Sequence, residues 1–117
     1  LYSLNPTAVP AIATLSGAFP NVRVGAAWWF NDTVEGIRQQ LRTVMEYAAL
    51  GTHLGMLTDS RSFASYPRFD FFRRILCDTV GAYVERGEYD AGAAEALVRG
   101  ICYENVREFL GIGGKTL

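Results

Sequence analysis

Between Val34 and Ala48 the apolar side chains return every three or four positions, at Val34, Ile37, Leu41, Val44, Met45 and Ala48. This is the spacing of one face of an amphipathic helix. Asp32 with Glu35 three positions on reads as a capping box at its start, and Gly51 as its stop. Ala8, Ile12, Leu15 and Phe19 predict a shorter helix over residues 8–19, with Pro10 in its first turn and Gly17 and Pro20 at its end. Pro67 suits the first turn of a long helix whose apolar face runs from Phe71 and Phe72 through Ile75, Leu76 and Val80 to Tyr83 and Val84, ending near Gly87. Asp90 can cap a last helix bearing Ala94, Leu97, Val98, Ile101 and Val106, which is expected to end at Gly111 and leave a frayed tail to Leu117.

Three apolar runs between these helices read as strands: Leu1–Leu4, Val22–Phe30 and His53–Asp59. The second is almost continuously apolar, as a strand covered on both faces should be. The order is strand, helix, strand, helix, strand, helix, helix. From Asn5 to Asn31 is 26 positions and from Asn31 to Asp59 is 28, close to the roughly 30 residues that a (β/α)8 barrel spends on each unit. The fold class expected is therefore α/β, with three βα units over residues 1–86 and a terminal helix and tail over 87–117. Right-handed crossovers make the strands parallel. Their carboxyl ends then share one rim, with Asn5, Trp28, Trp29 and Asp59 on it, and that rim is where ligands bind in α/β sheets and barrels.

Half of the residues are hydrophobic and 20% are charged, which makes this ordinary globular material rather than a disordered segment. Eleven basic and 12 acidic side chains give a net charge of -1, and no basic stripe points to nucleic acid. No apolar run approaches the ~20 residues that span a bilayer, so neither a nucleic acid nor a membrane is an expected partner. Cys77 and Cys102 lack a second Cys or a His at metal-ligand spacing. They are expected to be reduced, half-buried thiols of a cytoplasmic protein. The chain opens on Leu1 rather than Met, directly in a strand pattern, and is expected to be a piece of a longer protein.

Asp59 ends the third strand, where a carboxylate can bind a metal or accept a proton. Asp59 or Ser60 can equally cap the turn that follows. Arg61 offers a planar fork suited to carboxylates and sugar hydroxyls, or to a structural ion pair. Arg68, near the start of the next helix, is within reach of the rim, whereas Arg73 and Arg74 read as solvated helix face. Trp28 and Trp29 should point to opposite sides of their strand, one towards the pocket and one towards the helix layer; either can also be simple core. His53, the one histidine, lies at the start of its strand and reads as structural.

The blocks Gly25-Ala26-Ala27-Trp28-Trp29-Phe30-Asn31-Asp32, Gly55-Met56-Leu57-Thr58-Asp59-Ser60-Arg61-Ser62-Phe63, Phe71-Phe72-Arg73-Arg74-Ile75-Leu76-Cys77 and Ile101-Cys102-Tyr103-Glu104-Asn105 closely resemble, in order and spacing, the C-terminal part of the uronate isomerase family of the amidohydrolase superfamily. The resemblance implies strands six to eight of a distorted (β/α)8 barrel, with a C-terminal helical extension. It implies interconversion of D-glucuronate with D-fructuronate and of D-galacturonate with D-tagaturonate. Asp59 would be catalytic residue and metal ligand, while Arg61, Ser60, Trp28 and Trp29 would bind substrate. The implied cofactor is a divalent metal, expected to be zinc, whose histidine ligands lie outside this chain. The implied partners are a hexuronate sugar, the remainder of the barrel and further copies in a homo-oligomer. The chain departs from the family at Arg68-Phe69-Asp70, where Arg-His-Glu is usual, and at Ala64, where Leu is common. Two other readings are another metal-dependent enzyme of the same superfamily and a non-catalytic α/β association module.

Overall fold

A computed structural model describes residues 1–113. Five α-helices are found among them: α1 (Val9–Ala18), α2 (Val34–Tyr47), α3 (Pro67–Glu85), α4 (Ala91–Arg99) and α5 (Asn105–Phe109). Single 3-10 turns stand at Pro6–Ala8, Leu50–Thr52 and Phe63–Ser65, and a π-helical turn, Gly100–Glu104, joins α4 to α5. The predicted tail falls partly on residues 114–117, which lie outside the described residues.

Helix starts follow their capping chemistry, with one correction. Asn5 accepts the Thr7 amide at 3.0 Å and Asp90 accepts the Ala93 amide at 2.8 Å. At α2 the cap is Thr33, which accepts the Gly36 amide at 3.0 Å, and not Asp32. Glu35 does not reach back to complete a box either; its carboxylate pairs with Arg38, which also bonds Asp78 of α3 at 2.9 Å. Gly51 does not stop α2, which ends at Tyr47 with Ala48 extended behind it. Gly87, at φ +71, takes the left-handed position that ends α3.

The expected strands are present only as short extended segments. Among the described residues a single parallel bridge, Ala26 to Met56, is the whole of the regular pairing. Around it Leu54 donates to Val24 O at 2.8 Å, Ala26 to Gly55 O at 2.9 Å and Leu57 to Ala26 O at 3.0 Å. On the other side Gly25 donates to Leu1 O at 3.3 Å, and the Leu1 amino group to Arg23 O. The three segments therefore lie side by side with the second in the middle, and parallel, as right-handed crossovers predict. Their shortness has a backbone cause. Gly55, at φ +76, bends the third segment although its bonds to the second run on to Leu57, and left-handed residues at Trp29 (φ 75) and Asp59 (φ 48) end the second and third, because they leave the extended region. Trp28–Phe30 is consequently bend and turn rather than strand.

Gly25 is required by packing. A Cβ there would sit 2.6 Å from Gly55 O and against the Tyr2 ring. The core is the interlayer between these segments and the helices. Ile37, Leu41 and Val44 of α2 and Phe72, Leu76 and Val80 of α3 bury against Val24, Ala26 and Met56. Each such aliphatic or aromatic side chain contributes about 1.5–3 kcal/mol when fully buried. Phe71, predicted for the same face of α3, is exposed. α1 lies across the end of α2, where Gly17 meets the Tyr47 carbonyl. The last predicted helix is two, because the wide turn at 100–104 shifts the side-chain register and brings Asn105 Nδ2 to Gly51 O at 2.8 Å and His53 O at 2.9 Å. Cys102 packs at the edge of the core, and Cys77 is exposed rather than half-buried; both thiols are free.

His53 is fully enclosed, stacked on Phe72. Its Nδ1 accepts the Gly55 amide at 2.9 Å, which puts the proton on Nε2, 2.9 Å from Gln40 Oε1. Gln40 Nε2 is left as a buried donor without a partner among the described residues. Burial lowers the His53 pKa from 6.5 to about 3. The unfolded chain therefore takes up a proton between those two values that the folded chain refuses, and stability is lost as pH falls through this window.

Two outcomes follow. Replacing Gly25 with Ala should lower folding stability by about 1–3 kcal/mol, measured as the urea unfolding midpoint. Between about pH 6.5 and about 3, wild type should lose stability more steeply than His53→Gln, by at most about 1.4 kcal/mol per pH unit; parallel curves would show that His53 is not buried neutral.

Candidate functional site

The second and third segments run parallel and leave the core at the same edge, so their carboxyl-terminal loops meet. Trp28 lies two positions beyond Ala26, and Asp59 three beyond Met56. The Trp28 indole Nε1–H donates to Asp59 Oδ2 at 3.0 Å. That bond fixes one carboxylate oxygen and leaves Oδ1 with no side-chain partner among the described residues. Trp29 packs on Trp28 with ring centroids 4.8 Å apart, and Phe30 on Trp29 at 5.8 Å. The two indoles therefore share one side of the chain instead of pointing apart, because the left-handed φ of 75° at Trp29 breaks the strand alternation. A bulky aromatic residue in that region is strained by roughly 1–2 kcal/mol, which marks a loop held in place by its surroundings.

Capping, the rival role for Asp59 or Ser60, falls to serines. Ser60 Oγ accepts the Ser62 amide at 3.1 Å and the Ser65 hydroxyl at 2.7 Å, and Ser62 Oγ accepts the Ala64 amide at 3.2 Å. Ser60 is thus engaged in building its loop, and Asp59 caps nothing. Arg61 is exposed and has no hydrogen-bond or ion-pair partner among the described residues. Asp59, Ser60, Arg61 and Phe69 line an open depression of about 380 Å³ together with Met56, Leu57 and Thr58. It offers a carboxylate and a guanidinium beside apolar side chains, and Phe69 adds an aromatic ring rather than an ionisable group to its lining.

Asn5 does not join this group. Its side chain is taken up by the Thr7 amide and hydroxyl. The first segment reaches the second loop instead through Asn31, which is buried and donates Nδ2–H to Ser3 O at 2.6 Å. Arg68 does reach the rim. It donates to Thr58 O at 3.4 Å and pairs with the Asp32 carboxylate. The sequence carries no signal for this use of Asp32, since an aspartate before a threonine is an equally good cap. Arg74 is solvated as expected, paired with Asp70 one turn away.

A metal would find one donor here. Among the described residues no three His, Cys, Asp or Glu side chains come together to hold an ion. His53 is closed off, with both ring nitrogens engaged in the core. Asp59 could supply a single ligand, so these residues do not by themselves constitute a metal centre.

Comparison with known proteins gives a consistent result. A sequence model of the family described as glucuronate isomerase matches residues 1–110. The uronate isomerase of Caldanaerobacter subterraneus subsp. tengcongensis is 46% identical over 120 residues, covering 96% of this chain and 26% of the relative. That of Bacillus licheniformis is 45% identical, covering 93% of this chain and 25% of the relative. The crystal structure of uronate isomerase from Thermotoga maritima superposes with a TM-score of 0.88 at 41% identity, over 93% of this chain and 24% of that one. The chain spans about a quarter of the length of the relatives it matches. No helix among the described residues is long and apolar enough to cross a membrane. With the match running over all but the last few residues and through every block that builds the rim, the chain belongs to the glucuronate isomerase family.

Proposed function

We propose that this chain forms the C-terminal quarter of a cytoplasmic uronate isomerase, contributing the last three βα units and the terminal helices of a (β/α)8 barrel. The observation that carries the reading is the hydrogen bond from Trp28 to Asp59. It orders a carboxylate at the mouth of two parallel segments, with Arg61 two positions on. Parallel packing of the three segments in sequence order supports the barrel assignment, and the free thiols accord with a reducing compartment. The remainder of the barrel would cover the exposed Leu1 and Leu4 of the first segment. We propose a homo-oligomer of the whole protein.

Aldose–ketose isomerisation removes a proton from C2 and adds one to C1, while the O2 hydroxyl proton passes to O1. Between the two transfers the enediolate carries negative charge on oxygen. Asp59 is the group placed to take and return the carbon-bound proton. Its Oδ1 has no side-chain partner among the described residues, and Trp28 holds the carboxylate in one orientation, so the base is aimed before substrate arrives. Arg61 is placed to grip the substrate carboxylate through its two-donor fork. The Trp28–Trp29 pair walls the sugar, and Ser60 holds the loop between base and grip. A divalent metal, zinc by the family resemblance, would stabilise developing charge on oxygen when bound. From this chain it would take Asp59 alone, its other ligands coming from outside residues 1–113.

In the full-length protein, Asp59→Asn should lower uronate turnover by about 10²–10⁴-fold. Arg61→Met should raise KM by roughly 10–100-fold, with a smaller effect on kcat. Wild-type turnover by Asp59→Asn would remove Asp59 from the chemistry. The 117-residue chain on its own leaves both outer segments unpaired and supplies one candidate metal ligand. It should show no uronate turnover above a protein-free control, and measurable turnover would refute the division of the site between this chain and the rest.

A further inference from the structure

Two loops carry the candidate site, and one side chain that the proposed chemistry does not use ties them together. Arg68 lies in the first turn of α3, directly after Pro67. It donates to the carbonyl of Thr58, the residue preceding Asp59, and pairs with Asp32, four positions beyond Trp28. The Trp28–Asp59 hydrogen bond closes the circuit. The Asp32 side chain is only 13% exposed, and a carboxylate so far withdrawn from water needs a fixed counter-charge. Arg68 is that charge. Its planar fork can serve a carboxylate and a carbonyl together, which a lysine ammonium on a flexible stem does less well.

The loops need such a tie. Trp29 and Asp59 are both left-handed, a conformation that persists at non-glycine residues only where the surroundings over-determine it. Asn31 anchors the second loop to the first segment on the far side. Among the described residues the Arg68 bridge and the indole bond are the side-chain polar links between the second and third loops.

We propose that Arg68 is a positioning residue: its bridge from Asp32 to the Thr58 carbonyl sets how the Trp28 indole meets Asp59, and so where the free carboxylate oxygen points. Arg68 acts through the loops and does not touch substrate. The kinetic consequence rests on the isomerase reading, whereas the geometric one does not.

The test uses the full-length protein labelled with 5-fluorotryptophan, the Trp28 resonance being assigned by Trp28→Phe. In Arg68→Met that resonance should move towards its position in Asp59→Ala, where the indole bond is absent. Uronate kcat should fall by about 10–100-fold with KM within about threefold, the size expected when a reacting group is displaced by about an ångström. Asp32→Asn should behave alike, and the double variant should be no worse than either single one, as for two parts of one link. Arg68→Lys should give a smaller shift and a smaller loss of kcat, and it decides the matter if Arg68→Met does not fold. A folded variant with the Trp28 resonance unmoved overturns the proposal. So does a change confined to KM, which would place Arg68 on the substrate. If wild type turns over no uronate, the isomerase reading fails and the Trp28 resonance alone decides the role of Arg68.

Discussion

Backbone pairing between residues 24–26 and 54–57 is the constraint on which everything else depends. Val24, Ala26 and Met56 are almost inaccessible to water, so their amides and carbonyls must find partners in the chain. Ala26 donates to Gly55 O and accepts from the Leu57 amide, and Val24 O accepts from the Leu54 amide, in the staggered pattern that only parallel segments make. That pattern forces both segments to leave the core in the same direction. It also fixes register: moving either segment by one residue would turn its apolar set away from α2 and α3. With the register set, Trp28 and Asp59 leave the core close enough for a 3.0 Å bond.

The two ends of these segments do opposite things. At the amino-terminal end of the third, His53 is sealed between Gln40 and Phe72, and Asn105, the first residue of α5, satisfies the carbonyls of Gly51 and His53. Complete enclosure holds this imidazole neutral, so the chain's one histidine serves the fold. At the carboxyl-terminal end Asp59, Ser60 and Arg61 stand exposed on a backbone that left-handed residues turn away from the sheet direction. Charge is kept where water can reach it, and the neutral polar network is kept where it cannot.

Helices were the legible part of the fold because their signal is dense. Five apolar positions in α2 recur at helical spacing, and Pro67, Gly87 and Asp90 mark the boundaries of α3 and α4 by local chemistry that tertiary packing does not override. Strand extents were less legible for a physical reason. An apolar run such as Val22–Phe30 records burial, but a strand ends where φ changes sign, and nothing in the side chain of Trp29 announces a φ of 75°. The same gap hid the capping swap at α2. Asp32 and Thr33 are both good caps, and only the position of Arg68 on a different helix selects Thr33 for the cap and Asp32 for the ion pair. Of the candidate site, spacing put Trp28 and Asp59 at the ends of neighbouring segments, where the structure joins them, but it also put Asn5 on the rim, where the structure does not. The indole–carboxylate bond itself was not readable, since it joins residues 31 positions apart.

That difference bears on how Asp59 is singled out. From position alone it was as good a turn cap as a base. Ser60 and Ser62 carry the loop's capping bonds, and the buried counter-charge role belongs to Asp32. Two structural uses that would consume a carboxylate at this place are thus taken by neighbours. What remains to Asp59 is a left-handed backbone, one oxygen ordered by an indole and one oxygen with no assignment in the fold. The left-handed backbone is a cost that a purely structural aspartate here would not need, whereas the exposed oxygen is solvated and costs nothing. It is the strain, rather than the open oxygen, that singles Asp59 out: the loop holds its carboxylate off the sheet direction with one oxygen ordered by the indole.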